Sequence, residues 1–116
     1  MTDGVTIIVE LNVKPEIAET FFSGVQALLE VTATHKGFRN IIAVRHKEDS
    51  NRMIFVESWD SEEDFNTYTN WRIERGDMSI IMDAVTVPPK VDVWPTSVAA
   101  ARRDASIANG VDALSA

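Results

Sequence analysis

Hydrophobic and polar residues alternate over residues 5–13, which indicates a first β-strand. The spacing then changes to four, four and three positions, the period of an amphipathic helix, and Pro15 suits the first turn of that helix. We expect the helix to end near residues 34–37. The apolar stripe on which it depends consists of Ile17, Phe21, Val25 and Leu28.

Two further segments, residues 38–47 and 52–59, are rich in β-branched and aromatic residues and are separated by turn-forming residues, so they predict a hairpin. A variant capping box, with Ser61 as the cap and Asp64 at the reciprocal position, predicts a second helix that runs to Gly76. One or two more helical turns are expected over residues 77–85. Alternation over residues 90–94 predicts a last short strand.

The resulting order, β-α-β-β-α-β, is that of an α+β ferredoxin-like fold, an antiparallel sheet with helices on one face. At 116 residues, the chain is long enough for one core and short for two. We therefore assign residues 1–95 to one domain. Residues 96–116 form an Ala-rich tail that either frays or packs on a partner subunit, and we assign it no function.

The face of the predicted sheet away from the helices also carries apolar residues, which a solvated face should not. We expect the same face of a second copy to cover it, because a two-fold dimer matches a surface to itself. Two alternatives stay open: one strand has the opposite phase, or the tail lies across the sheet. The residues assigned to this face are Ile8, Ile41, Ala43, Met53 and Phe55.

Composition narrows the range of partners and locations. The formal net charge of −7 and the sequence pI of about 4.7 disfavour binding to nucleic acid or to anionic membranes. No apolar run near the start is long enough for a membrane span. The absence of cysteine leaves no disulfide, thiolate nucleophile or cysteine-ligated metal, and a cytoplasmic location is the default expectation.

The element order, the strand that ends in Glu57-Ser58-Trp59 and the capped helix with Phe65 four residues after its cap resemble the antibiotic biosynthesis monooxygenase family. That family belongs to the dimeric α+β barrels, so the resemblance implies a homodimer. It covers roughly residues 5–95. It further implies oxygenation of a small hydroxylated aromatic molecule or quinol by dioxygen, with no cofactor.

The chain departs from the family pattern at one position. Many members carry a histidine about nine residues after the strand-end tryptophan, and here Tyr68 follows Trp59 at that distance. The chain is therefore a poor match to the haem-degrading branch, which needs an axial histidine. The pair Asn70 and Trp71 is loosely similar to an Asn and a Trp that some members place around a polyketide phenol.

Tyr68, Trp71 and Arg72 occupy positions i, i+3 and i+4, so they share one side of the second helix and are candidates to line a pocket. Trp59 would supply a wall. In the catalytic interpretation Arg72 stabilises a phenolate, Asn70 bonds a carbonyl or peroxide, and Tyr68 orients the ring. In the alternative, Tyr68 and Trp71 are core residues and Arg72 is a surface charge that contributes little to stability.

Metal and nucleotide chemistry find no support in the sequence. The two histidines, His35 and His46, fit no metal-binding spacing, and there is no glycine-rich phosphate loop. Two functions therefore stay open: a cofactor-independent monooxygenase, or a non-catalytic ligand-binding or interaction domain of the same fold. A pocket of several hundred Å³ with converging polar groups would favour the enzyme. A filled core would favour the non-catalytic domain.

Overall fold

The computed structural model describes residues 4–103. Its elements follow the predicted order, with strands β1 to β4, helices α1 to α4 and a short 3-10 helix before α1. In chain order they are β1 Val5–Asn12, the 3-10 helix Pro15–Ile17, α1 Ala18–Ser23, α2 Val25–Thr32, β2 Phe38–Arg45, β3 Arg52–Trp59, α3 Glu62–Arg75, α4 Asp77–Ala84 and β4 Lys90–Trp94.

The four strands form one antiparallel sheet in the order β2-β3-β1-β4. This order confirms the α+β ferredoxin-like fold. The central strand pair is long and in continuous register, from Val5 opposite Trp59 to Asn12 opposite Arg52. Residues that are paired in this way point to the same face of the sheet, so the register fixes which side chains meet the helices.

The first predicted helix is divided into three pieces. A 3-10 turn leads into α1, and α1 ends at Gly24, whose N–H reaches back to the carbonyl of Phe21. The third piece, α2, then begins at Val25. Of the predicted apolar stripe, Val25 is buried and Phe21 and Leu28 pack against the core, but Ile17 is 37% exposed and the neighbouring Ala18 is buried in its place.

The second helix begins and ends where the sequence predicts. The Ser61 side chain accepts a hydrogen bond from the Asp64 N–H at 3.1 Å, which caps α3. Gly76 ends it with φ of +86°, a conformation that favours glycine, and the chain turns at once into α4. This tight turn brings Asp77 close to the last turn of α3.

We call the face of the sheet away from the helices the open face. The residues predicted for the open face were wrong in two strands, β2 and β3. The register places Ile41, Ala43, Met53 and Phe55 on the helix side of the sheet, and of the five predicted residues only Ile8 faces away. A register shift between Phe38 and Asn40 changes the phase of β2. In β3 both faces are apolar, so alternation alone does not say which one is inside.

The open face is nevertheless apolar, with a different set of residues. Ile42 is 57% exposed and Trp94 is 58% exposed, although both are large hydrophobic side chains. Its charged residues occur as ion pairs within the chain: Arg52 with Glu10 at 3.0 Å, and Lys90 with Asp92 at 3.8 Å. The apolar members of the open face are Ile8, Ile42, Val44, Ile54, Val56 and Trp94.

Residues 96–103 of the tail contain no helix or strand, and Val98 is almost fully exposed. The rest of the predicted tail lies outside the described residues. Over residues 4–103, no helix is long and apolar enough to cross a membrane.

A chain shortened to end at Ser97 is expected to keep its melting temperature within about 4 °C, because small side chains such as those of residues 99–101 have little apolar area to bury. Thermal unfolding followed by circular dichroism measures this. A larger fall would mean that the tail packs against the domain or across a dimer.

Candidate functional site

A cavity of about 320 Å³ lies between the helix side of the sheet and the helices α2, α3 and α4. It is partly open to solvent, and most of its wall is apolar. Its volume is in the range of small-molecule sites in proteins. The polar side chains that line it are Thr32, Glu57, Asn66, Tyr68, Thr69 and Arg72.

Arg72 is buried, with 5% of its surface exposed, and its guanidinium joins three helices. Its Nη1 donates to the Asp77 carboxylate at 2.8 Å, and its Nε donates to the Tyr68 hydroxyl at 2.9 Å. Its Nη2 donates to the Leu28 carbonyl at 3.0 Å and to the Thr32 hydroxyl at 3.3 Å. Burial opposes the charge, but the bonds to Asp77 and Tyr68 outweigh it and raise the pKa of Arg72. All three guanidinium nitrogens are therefore engaged within the protein.

Tyr68 connects the polar residues of the cavity wall to the aromatic residues of the core. Its hydroxyl lies 2.8 Å from that of Thr32 in addition to its bond with Arg72, and its ring packs on Trp59 with centroids 5.1 Å apart. Trp59 is fully buried, and Phe38 and Phe65 meet it edge-on. The aromatic layer below the cavity is thus packed from two strands and one helix.

Glu57 is a charged residue on the face of β3 that points to the helices, in a mostly apolar wall of the cavity. It is 4% exposed and lines the cavity. Its Oε1 accepts a hydrogen bond from the Trp59 indole at 2.9 Å, and no other residue of the described chain bonds to this carboxyl. Burial raises the pKa of Glu57 above its ordinary value, and the bond from Trp59 offsets part of the rise.

The predicted site residues separate into two groups. Tyr68 and Arg72 line the cavity, and Trp59 lies directly behind Tyr68. Asn70 is two positions from Tyr68 on the helix, so it points to solvent and is exposed. Trp71 does not line the cavity either. Its ring packs on His35 at 4.4 Å, beside the guanidinium of Arg75.

The alternative interpretation of Arg72 as a surface charge was wrong, because only 5% of its surface is exposed. Its partners lie on three helices, and no spacing in the sequence reveals such a set. They are the Leu28 carbonyl and the Thr32 hydroxyl on α2, the Tyr68 hydroxyl on α3 and the Asp77 carboxylate on α4. Glu57 was also missed as a site residue, but a signal for it was present. It occupies an inward position between Phe55 and Trp59, where alternation predicts an apolar residue.

The sequence profile of the antibiotic biosynthesis monooxygenase family matches residues 4–71, which is more than half of the chain. The chain therefore belongs to this family. The matched region includes β1 to β3 and most of α3, and with them Glu57, Trp59 and Tyr68. No curated protein sequence gives a significant match.

Solved structures give the same fold. Rv0793 from Mycobacterium tuberculosis superposes with a TM-score of 0.73 at 14% identity, over 85% of this chain and 100% of that one. A conserved protein from Methanosarcina mazei Go1 gives 0.72 at 14% identity, over 81% of this chain and 93% of that one. A protein from Deinococcus radiodurans gives 0.74 at 12% identity, over 86% and 99%. At these identities the likeness concerns the fold alone.

Replacing Arg72 by alanine is expected to lower the free energy of unfolding by about 3 kcal/mol, because the change leaves the partly buried Asp77 with only the more distant Arg75 cation and removes four hydrogen bonds. The matched control is Arg75→Ala, which removes a half-exposed cation 3.6 Å from the same carboxylate and should cost less than about 1 kcal/mol. Urea unfolding of both variants measures the difference. Equal losses would contradict the assignment of Arg72 as the central contact of the three helices.

Proposed function

We propose that this chain is a cofactor-independent monooxygenase that acts on a small hydroxylated aromatic molecule or quinol. The observation that carries the proposal is the cavity of about 320 Å³, whose apolar wall and few convergent polar groups suit a ring with one or two oxygen substituents. Membership of the family supports the same activity. A filled core, which would have favoured a non-catalytic interaction domain, is not what lies between sheet and helices.

In the proposed reaction the substrate supplies the electrons. A ring anion passes one electron to dioxygen, the resulting radical and superoxide combine at a ring carbon, and the protonated peroxide loses water to leave a carbonyl. For a quinol the sum is quinol plus dioxygen giving hydroxyquinone plus water, which balances without an external reductant. The contribution of the protein is to bind the ring, favour its anion and keep bulk water from the peroxide.

We assign Tyr68 to the orientation of the ring, since its side chain lines the cavity. Trp59 does not line the cavity and acts through its neighbours. Its ring packs on Tyr68, and its indole N–H donates to the Glu57 carboxyl. Arg72 positions Tyr68 through the bond between Nε and the phenol oxygen. Asn70 and Trp71 receive no role at the substrate, because neither lines the cavity.

We also propose that the active form is a homodimer that buries the open face of the sheet. Half of the large hydrophobic side chains on that face are exposed in the single chain, and such patches mark interfaces. Its charges are paired within the chain, so two copies can meet without like-charge repulsion. A two-fold axis would pack the open face of one subunit against the open face of the other.

Dioxygen consumption tests the activity. In metal-free buffer, with quinols and anthrone-type phenols as substrates, the protein is expected to consume dioxygen and to form one water per oxygen atom inserted. Replacing Ile81, which lines the cavity, by tryptophan should fill the site and abolish consumption.

The matched control is Ile73→Trp, which adds the same bulk at a half-exposed position of α3 outside the cavity. It should consume dioxygen at the rate of the unchanged protein. Consumption that survives Ile81→Trp would place the reaction elsewhere, and ligand binding without consumption by the unchanged protein would favour the non-catalytic function.

Sedimentation tests the dimer. Val56→Asp puts a charge in the middle of the open face and should give a monomer, because a desolvated unpaired charge costs several kcal/mol, roughly 2 or more. Ile73→Asp, on the helix side, should leave the mass unchanged. A charge at Phe55 is no test of the interface, because Phe55 faces the helices. A Val56→Asp protein that keeps a dimeric mass would overturn the proposed interface.

A further inference from the structure

We propose that Glu57 accepts the hydroxyl proton of a ring bound in the cavity, so that the site selects a neutral ring bearing a hydroxyl donor over the same ring without one. This inference rests on the proposed function and adds to it the group that recognises the substrate. It also changes the expected form of the substrate, which enters as the neutral phenol or quinol and not as its anion.

The geometry gives Glu57 one bonded and one available oxygen. Oε1 is held by the Trp59 indole at 2.9 Å, which fixes the carboxyl on the inner face of β3. Oε2 has no bond within the described chain, although the residue is 4% exposed and lines the cavity. No side-chain polar atom of residues 4–103 is both fully buried and unpartnered, so the unbonded Oε2 is open to the cavity, where a ligand or water can donate a hydrogen bond to it.

The charges around the cavity leave Glu57 without a counterion. Of the other residues that line it, only Tyr68 and Arg72 are titratable, and both belong to α3. Arg72 is neutralised by Asp77 at 2.8 Å, and its remaining donors are bonded to the protein. The groups that α2 and α4 contribute to the cavity carry no charge. A second anion would therefore be repelled, whereas a neutral hydroxyl donor is attracted.

The step itself is a proton transfer. The O–H bond of the ring hydroxyl breaks, the proton moves to Oε2 of Glu57, and the electron pair stays on the ring oxygen. The ring anion that forms is the species that gives its electron to dioxygen in the proposed reaction. Burial favours this transfer because it raises the pKa of the Glu57 carboxyl toward that of the donor, which makes the carboxylate a better base.

Binding under nitrogen tests the inference without turnover. The probes are 2-naphthol and 2-methoxynaphthalene, which share the ring system and differ in the hydroxyl donor. The unchanged protein is expected to bind 2-naphthol about tenfold more tightly, or more, as befits a hydrogen bond to a charged acceptor. If neither probe binds, or if both bind equally well, the inference is overturned.

Glu57→Gln keeps the shape of the side chain and an oxygen for the Trp59 indole but cannot take a proton. It is expected to lose most of the preference for 2-naphthol. Glu74→Gln, which removes an exposed carboxylate from α3, should keep it. A Glu57→Gln protein that folds and keeps the full preference would overturn the inference.

The pH dependence gives a readout that does not depend on any variant at position 57. Below the pKa of Glu57 the protonated carboxyl can donate to either probe, and above it the carboxylate can only accept. The preference should therefore rise with pH through the ionisation of Glu57, at pH values where 2-naphthol itself is still neutral. A preference that does not change with pH would contradict the inference even if Glu57→Gln failed to fold.

Dioxygen consumption separates this inference from the proposed function. Where the unchanged protein consumes dioxygen, Glu57→Gln should slow consumption by about 10²-fold or more. Consumption that Glu57→Gln leaves unchanged would overturn the role of Glu57 while the monooxygenase stands. A lost preference in a protein that never consumes dioxygen would leave Glu57 as the recognition group and overturn the monooxygenase.

Discussion

The buried guanidinium of Arg72 is the contact on which the helical layer depends. It bonds to α2 through Leu28 and Thr32, to its own helix through Tyr68, and to α4 through Asp77. A cation can be buried here because its charge is compensated by Asp77 and its donors are satisfied by neutral oxygens. The same contacts fix the positions of the three helices over the sheet, and the cavity is the space that these positions leave.

The cavity is therefore bounded by two polar groups of opposite character. On the helix side, the charge of Arg72 is balanced by Asp77, and all three guanidinium nitrogens donate hydrogen bonds within the protein. On the sheet side Glu57 is bonded at one oxygen by the Trp59 indole and is not balanced by a cation. A ligand in the cavity is therefore expected to bond to Glu57, because the carboxylate has an oxygen available and the guanidinium of Arg72 has no nitrogen without a partner.

The strand β3 serves both faces of the sheet by simple alternation. Phe55 and Glu57 point to the cavity, and Ile54 and Val56 point to the open face. The proposed site and the proposed dimer interface are thus separated by one layer of backbone. A partner on the open face would exclude water from the outer side of the strand that holds Glu57, and a low dielectric on both sides of the strand strengthens the electrostatic effect of burial.

Local patterns in the sequence determined the order of strands and helices, but not the division of the first helix into three pieces. The bounds of β3 and β4, the Ser61 cap and the Gly76 stop follow from periodicity and capping chemistry, which act over a few residues. Tyr68 was identified as a cavity residue from helical spacing. Only the tertiary structure decided the phase of β2 and β3, because a register shift and two apolar faces make alternation ambiguous. It also decided the burial of Arg72 and the environment of Glu57, because the partners of Arg72 lie up to 44 positions away and desolvation is a property of the packed fold.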